Sequence, residues 1–290
     1  MMKTLFILML ILSFFSCQDD PKESKSSAPD EPLEFETEIP REAQEELEFL
    51  KENSLKFKVD SLLLEEDDSD VLKDLITSKS YLKIEDYYML NLKYPLLNEN
   101  IKSSYANFND YMTREFIDLN KMESDITTKK EGSGDSLEII KHPEIRRIDY
   151  KIYQVNEQYI SILFYKENYF SDYPLPSYSF QTLNYDLEHA VFMKYEDFFL
   201  NNTEDEFLLI LNDILRKKIN SGEIYYSCWE ISKEDFYNYK NNFVLNHNGI
   251  EYYFDDCIMC PSSTGIFSIK IPFDILRSIL RKHNTDRIFS

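Results

Sequence analysis

Apolar residues recur along this chain in two rhythms, and each rhythm predicts a different element. Ile101, Tyr105, Phe108, Met112 and Phe116 follow one another at helical spacing, which predicts an amphipathic helix over about 98–120. Ile148, Tyr150 and Ile152 alternate with Asp149 and Lys151, and Ile160, Ile162 and Phe164 continue the same two-residue period. A third run, 178–186, has the same character, so the three segments predict an antiparallel meander. The stretch 81–94, rich in Tyr, Leu and Ile, predicts one strand closed by Pro95.

Further along, Thr203-Glu204-Asp205-Glu206 has the form of a capping box and opens a helical pattern with Phe207, Ile210, Leu211, Ile214 and Leu215. Phe243–Leu245 and Ile250–Phe254 flank Asn246-His247-Asn248-Gly249, a hairpin signal. A last strand is expected over 266–271 and a last short helix over 273–280. Before these elements, 41–53 has the spacing of a short exposed helix and 55–59 alternates like a strand. Strands and helices in separate runs define an α+β class: antiparallel sheets with packed helices. Two sub-domains are expected, 81–170 and 171–290, after an acidic N-terminal extension over 34–80.

Glycine changes the functional picture more than any other residue. The five present, Gly132, Gly134, Gly222, Gly249 and Gly265, cannot form a dinucleotide fingerprint, a phosphate-binding P-loop or a hydrolase nucleophile elbow. No nucleotide and no other cofactor is therefore expected. The formal net charge of −21 opposes nucleic acid, whose phosphates would be repelled over most of the surface. The acidic run Glu65-Glu66-Asp67-Asp68-Ser69-Asp70 lacks the glycine and the register of a calcium loop and reads as a solvated segment.

The first residues read as an address. Met1-Met2-Lys3 and the apolar run to Leu12 have the length of a signal peptide, too short to span a bilayer as a helix. Ser13-Phe14-Phe15-Ser16-Cys17 resembles a bacterial lipobox, so 1–16 is expected to be a lipoprotein signal and Cys17 the acylated residue. Residues 17–33 carry almost no apolar side chain and read as a disordered acidic tether. The expected location is a bacterial cell envelope, anchored to the membrane by lipid, in the outer membrane and on its periplasmic or surface face. A Gln18-Asp19-Asp20 start also resembles the acidic export signals of surface lipoproteins.

Several segments of the second half carry a family resemblance. Tyr178 through Leu187, Tyr195-Glu196-Asp197-Phe198-Phe199, Gly249 through Phe254, Gly265 and Ile271-Pro272-Phe273 resemble the extracellular domain of the lysozyme-sensing anti-sigma factors. The same domain occurs in envelope lipoproteins and beside certain peptidoglycan deacetylases. Residues 81–170 are similar to the smaller domain that precedes it. The resemblance implies a binding or sensing module for an envelope or host protein or a glycan, with a lysozyme-like protein among the ligands. The sequence departs from the family at Cys260-Pro261-Ser262-Ser263-Thr264-Gly265, where relatives have a Pro-Tyr turn, and it shows neither the anti-sigma segment nor a deacetylase domain.

Candidate chemistry is sparse. Cys228, Cys257 and Cys260 lie outside the signal, and an oxidising compartment permits a disulfide from Cys228 to either member of the pair. The C-x-x-C spacing also admits a redox pair, or a zinc site completed by His247, although a loop rather than a helix follows it. The four histidines are scattered, and the adjacent carboxylates Asp255-Asp256 point apart on an extended chain. No catalytic residue is assigned. A glycan hydrolase using unidentified carboxylates and a structural lipoprotein of an envelope assembly are the alternatives. Tyr169 and Tyr173, in an aromatic, proline-stiffened loop, are the expected ligand contacts and would meet a cationic protein or glycan.

Overall fold

The computed structural model describes residues 74–132, 143–156, 158–170 and 176–281. The elements expected over 41–53 and 55–59, the acidic run 65–70, and the signal and tether with Cys17 lie outside the described residues. So do the loop residues 171–175, and with them Tyr173.

Among the described residues, nine strands form two sheets. The first has six strands in sequence order: β1 (Ile76–Glu85), β2 (Tyr88–Leu97), β3 (Glu144–Asn156), β4 (Tyr159–Tyr169), β5 (Ser177–Asp186) and β6 (Val191–Met193). All neighbours are antiparallel except β2 and β3, which run parallel over Tyr88–Leu92 and Glu144–Ile148. The second sheet is an antiparallel meander of β7 (Phe243–Asn246), β8 (Gly249–Tyr253) and β9 (Ser268–Pro272). The α+β class stands. The larger sheet runs through position 170, since β4 and β5 are paired along Asn168–Tyr159 and Ser177–Asp186.

Helices cover the outer faces. Between β2 and β3 lie a short turn (Ser103–Tyr105), α1 (Ala106–Tyr111), a wide turn (Met112–Phe116) and α2 (Leu119–Gly132). Tyr105, Phe108, Met112 and Phe116 pack on Leu90, Leu92, Ile160, Ile162 and Phe164, the apolar parity of the large sheet. The expected amphipathic face is therefore real, but it is broken at Ile117 (φ −106°, ψ 57°), and Ile101 precedes the helix in a turn and is 54% exposed. The second helix, α2, was not legible in the pattern: Leu119, Met122 and Ile126 are its only large apolar contacts to the core.

The opposite face of β3–β5 stacks on the small sheet through an aromatic layer. Tyr153, Leu163, Tyr165, Tyr178 and Phe180 meet Val244, Tyr253 and Phe267, with Phe180 and Phe267 ring centroids 4.9 Å apart. Polar side chains also cross this layer: Asn184 Nδ2 donates to the Phe243 carbonyl at 2.9 Å, and the Leu245 N–H donates to Ser161 Oγ at 3.1 Å. Such pairs satisfy buried groups that would otherwise be costly, and they fix one register of sheet on sheet. The far face of the small sheet is covered by α3 (Tyr195–Phe198), α4 (Glu204–Asn220), α5 (Lys233–Tyr239) and α6 (Phe273–Leu276). Phe207, Leu211 and Leu215, one stripe of α4, are fully buried there against Phe236, Phe243 and Tyr252. Among the described residues no helix is long and apolar enough to cross a membrane.

Two local expectations are corrected. The segment 81–94 is not one strand but the β1–β2 hairpin, turning at Asp86-Tyr87, and Pro95 lies inside β2 opposite Ser78. The Leu97 N–H points away from β1 to Asn109 Oδ1, and Pro95, two residues earlier, presents its missing N–H on that same side. There β2 has already run past its pairing with β3, so no ladder bond is lost. At Thr203 the helix begins where the capping box placed it, but the hydroxyl donates to the Leu200 carbonyl at 2.6 Å and meets Tyr195 Oη at 3.1 Å. Tyr195 is buried and needs a polar partner for its ring hydroxyl, which holds the Thr203 side chain away from the helix N-terminus.

Candidate functional site

The exposed edge of β5 is where the two halves of the structure meet. Beyond the short β6, no strand among the described residues lies along this edge, and side chains from distant segments take its ladder bonds. Asn242 Oδ1 accepts the Thr182 N–H at 2.8 Å, Asn242 Nδ2 donates to the Phe180 carbonyl at 3.0 Å, and Asp255 Oδ1 accepts the Phe180 N–H at 2.8 Å. The Asp256 N–H donates to the Tyr178 carbonyl at 3.0 Å.

In front of this edge lies a groove of about 620 Å³, within the range of a small-molecule site. Its floor is the Ser179, Gln181 and Leu183 parity of β5. One wall carries Tyr111 and Lys166, and the other carries Asn238, Tyr239 and Asp255. The period of β4 puts Lys166 there. Ile160, Ile162 and Phe164 point into the core, and the next residue of that parity is a lysine at the rim of the helical layer. Its Nζ donates to Gln181 Oε1 at 2.9 Å and sits 4.5 Å from the centre of the Phe116 ring. Gln181 in turn hydrogen-bonds the Tyr111 hydroxyl.

Burial shifts the ionisable groups here. It lowers the Lys166 ammonium, with the Asp255 charge pulling back upward. It raises the Asp255 carboxyl, against the stabilising Phe180 N–H and Tyr239 hydroxyl. Tyr239 is raised by burial and by the Asp255 charge it faces. Two cations, Lys166 and the exposed Lys194, a carboxylate, amides and aromatic edges therefore share one groove. Asp255 is the one carboxylate among the described lining residues, so the two-carboxylate arrangement of a glycosidase is not what this groove presents.

The residues selected from sequence fall elsewhere. Tyr169 ends β4 half-buried, and its hydroxyl donates to Glu167 Oε1 at 2.8 Å, so the side chain is tied to its own strand. Cys228 is joined to Cys260, which removes Cys260 from any thiolate pair with Cys257. Cys257 stays outside the disulfide, at a left-handed backbone position (φ 61°) beside Asp256. The disulfide and two hydrogen bonds, from the Trp229 N–H to the Met259 carbonyl and from Trp229 Nε1 to the Ile258 carbonyl, both 2.9 Å, staple the 221–232 loop to the 255–261 segment. That loop displays Tyr225 and Tyr226, stacked with centroids 5.0 Å apart, and Tyr226 is 80% exposed. Lys166, Gln181 and Tyr239 were missed. The available signal was a lysine on an otherwise apolar strand parity.

Two stacked sheets between two helical layers, with a polar groove at the open edge of one sheet, define an α+β protein of a recognisable kind. Residues 196–274, from α3 to the start of α6, match the DUF3298 family, described as a protein of unknown function. A crystal structure of a DUF3298 family member from Bacteroides fragilis is similar with a TM-score of 0.50 at 14% identity, covering 74% of this chain and 97% of that one. A DUF3298 family protein from Pseudomonas aeruginosa gives a TM-score of 0.49 at 12% identity, over 73% of this chain and 97% of its own. At such identities the likeness to the Bacteroides structure speaks for the fold alone. Among curated proteins none matches this chain.

Proposed function

We propose that this chain is a lipid-anchored, non-catalytic binding module of a bacterial envelope, and that the groove beside β5 takes an envelope glycan. The observation that carries the reading is the groove itself: amide, hydroxyl and charged groups converge with the aromatic rims of Tyr111 and Tyr239 on a rigid strand. The lipobox-like Ser13–Cys17 and the acidic segment after it support the anchor, and the Cys228–Cys260 disulfide suits an oxidising compartment. The resemblance to the anti-sigma and deacetylase-associated domains supports a sensing role. Titration of the purified full chain with N-acetylglucosamine oligomers and N-acetylmuramic acid, followed by calorimetry, tests the reading. Saturable binding lost in Asn238→Ala and Tyr239→Ala variants is the expected result; no binding by any of these sugars overturns it.

A protein ligand is the second reading, favoured by the exposed aromatic pair Tyr225 and Tyr226 on a disulfide-stapled loop. Rigid exposed aromatics are common anchors of protein interfaces, and a chain at −21 attracts a cationic partner such as lysozyme. Association that slows with added salt and fails in Tyr226→Ala would favour this reading over the groove.

A further inference from the structure

The groove holds a cation with no carboxylate directly against it. Among the described residues, Lys166 Nζ has one hydrogen-bond acceptor, Gln181 Oε1 at 2.9 Å, and one aromatic face, Phe116. An ammonium has three donors, and Lys166 lines the groove, where a ligand can take the others. Asp255 acts on it through space and is itself held by the Phe180 N–H at 2.8 Å and by the Tyr239 hydroxyl. A half-buried cation without a directly bonded counter-charge is unfavourable. A carboxylate bound in the groove would supply the direct partner that Asp255, acting through space, does not.

We infer that the ligand of this groove is a sugar bearing a single carboxylate, which is received by the Lys166 ammonium. The inference rests on the glycan reading and narrows it. Lys166 is the one half-buried cation among the described lining residues, Lys194 being exposed, and it is flanked by neutral amides, which matches a monoanion; the net charge of −21 opposes a polyanionic or multiply phosphorylated ligand. Gln181 and Tyr111, bonded to each other beside Lys166, hold its ammonium in place. The aromatic rims meet the apolar faces of the ring, and Asn238 and Tyr239 on the far wall meet its hydroxyl and acetamido groups.

The test compares three probes on the full chain: N-acetylmuramic acid, its methyl ester, and N-acetylglucosamine. The acid should bind about tenfold or more tightly than the ester, the range of a charge-assisted hydrogen bond. Lys166→Gln should erase that preference while Lys166→Arg retains it. Should Lys166→Gln not fold, the acid-to-ester ratio on the unmodified chain still decides. Equal affinity for acid and ester overturns this inference and leaves the glycan reading intact. Failure of all three probes to bind overturns both.

Discussion

Asn242 stands to Thr182 as a neighbouring strand would, its Oδ1 accepting the Thr182 N–H at 2.8 Å while its Nδ2 holds the Phe180 and Tyr253 carbonyls. One side chain thereby closes the edge of the large sheet and ties it to the small one. Asn242→Ala would leave an N–H and two carbonyls without these partners at a half-buried seam. The expected cost is about 2–3 kcal/mol, since each lost partner of a buried group costs about 1–3 kcal/mol and the seam admits some water. Urea denaturation of the variant and parent measures it.

The Cys228–Cys260 disulfide spans 32 residues. A cross-link of that length removes about 3–4 kcal/mol of chain entropy from the unfolded state. Cys228→Ser should lower stability by that order, and a reductant should destabilise the parent but not the variant. The first effect to appear should be local, in the loop bearing Tyr225 and Tyr226, which loses its staple. Hydrogen exchange of 221–232 reads this directly.

Asp256 gives a pH dependence of definite sign. Burial pushes its carboxyl up to about 6, with the Ser262 hydroxyl at 2.8 Å pulling the other way. The folded state therefore holds this proton more tightly than the unfolded chain, whose value is near 3.9. The contribution is fully present below about pH 4 and is lost as pH rises through about 6. Asp256→Asn keeps an oxygen for Ser262 but removes the charge. Relative to the parent, it should gain about 2–3 kcal/mol between pH 4 and pH 8. A gain that does not change with pH would refute the assignment.

Gly249 opens β8 where the backbone of β9 passes closest. A Cβ at this position would stand 2.2 Å from the Ile271 carbonyl oxygen, a backbone atom in the paired strand. Gly249→Ala must separate β8 from β9 and should cost about 2 kcal/mol or more, as overpacking of a close contact does. Thermal melts, with Gly222→Ala as a contrast of positive φ but open space, separate steric from conformational cost.

The anchor is tested apart from the fold. Cys17→Ser should abolish partition of the chain into a detergent phase while leaving its thermal transition unchanged. Retained partition would rule out Cys17 as the acylated residue.

Much of the fold could be read from period alone. The β3–β5 meander, the α4 stripe of Phe207, Leu211 and Leu215, and the β7–β8 hairpin each follow from spacing within one segment. Pro95 misled because its effect depends on whether the next strand reaches that far, which only the sheet decides. The groove was hidden for a similar reason. Its walls come from Tyr111, Lys166 and Asp255, three segments brought together by the β5 edge, and no local rhythm marks that meeting. Tyr169 lies outside the groove lining with its hydroxyl on Glu167, a bond that aromatic composition does not reveal.

The parallel junction of β2 and β3 divides the large sheet by sequence distance. The β1–β2 hairpin and the β3–β5 meander each pair strands close in sequence, whereas β2 and β3 are separated by residues 98–143. Closing that span costs entropy before Tyr88–Leu92 gain any bond to Glu144–Ile148. The two blocks are expected to assemble separately and dock late, with the packing of Phe108 and Phe116 on Ile162 and Phe164 as the committing step. Speed of folding in this protein would then be governed by the helical crossover, and substitutions in α1 should slow refolding more than equally destabilising ones in the small sheet.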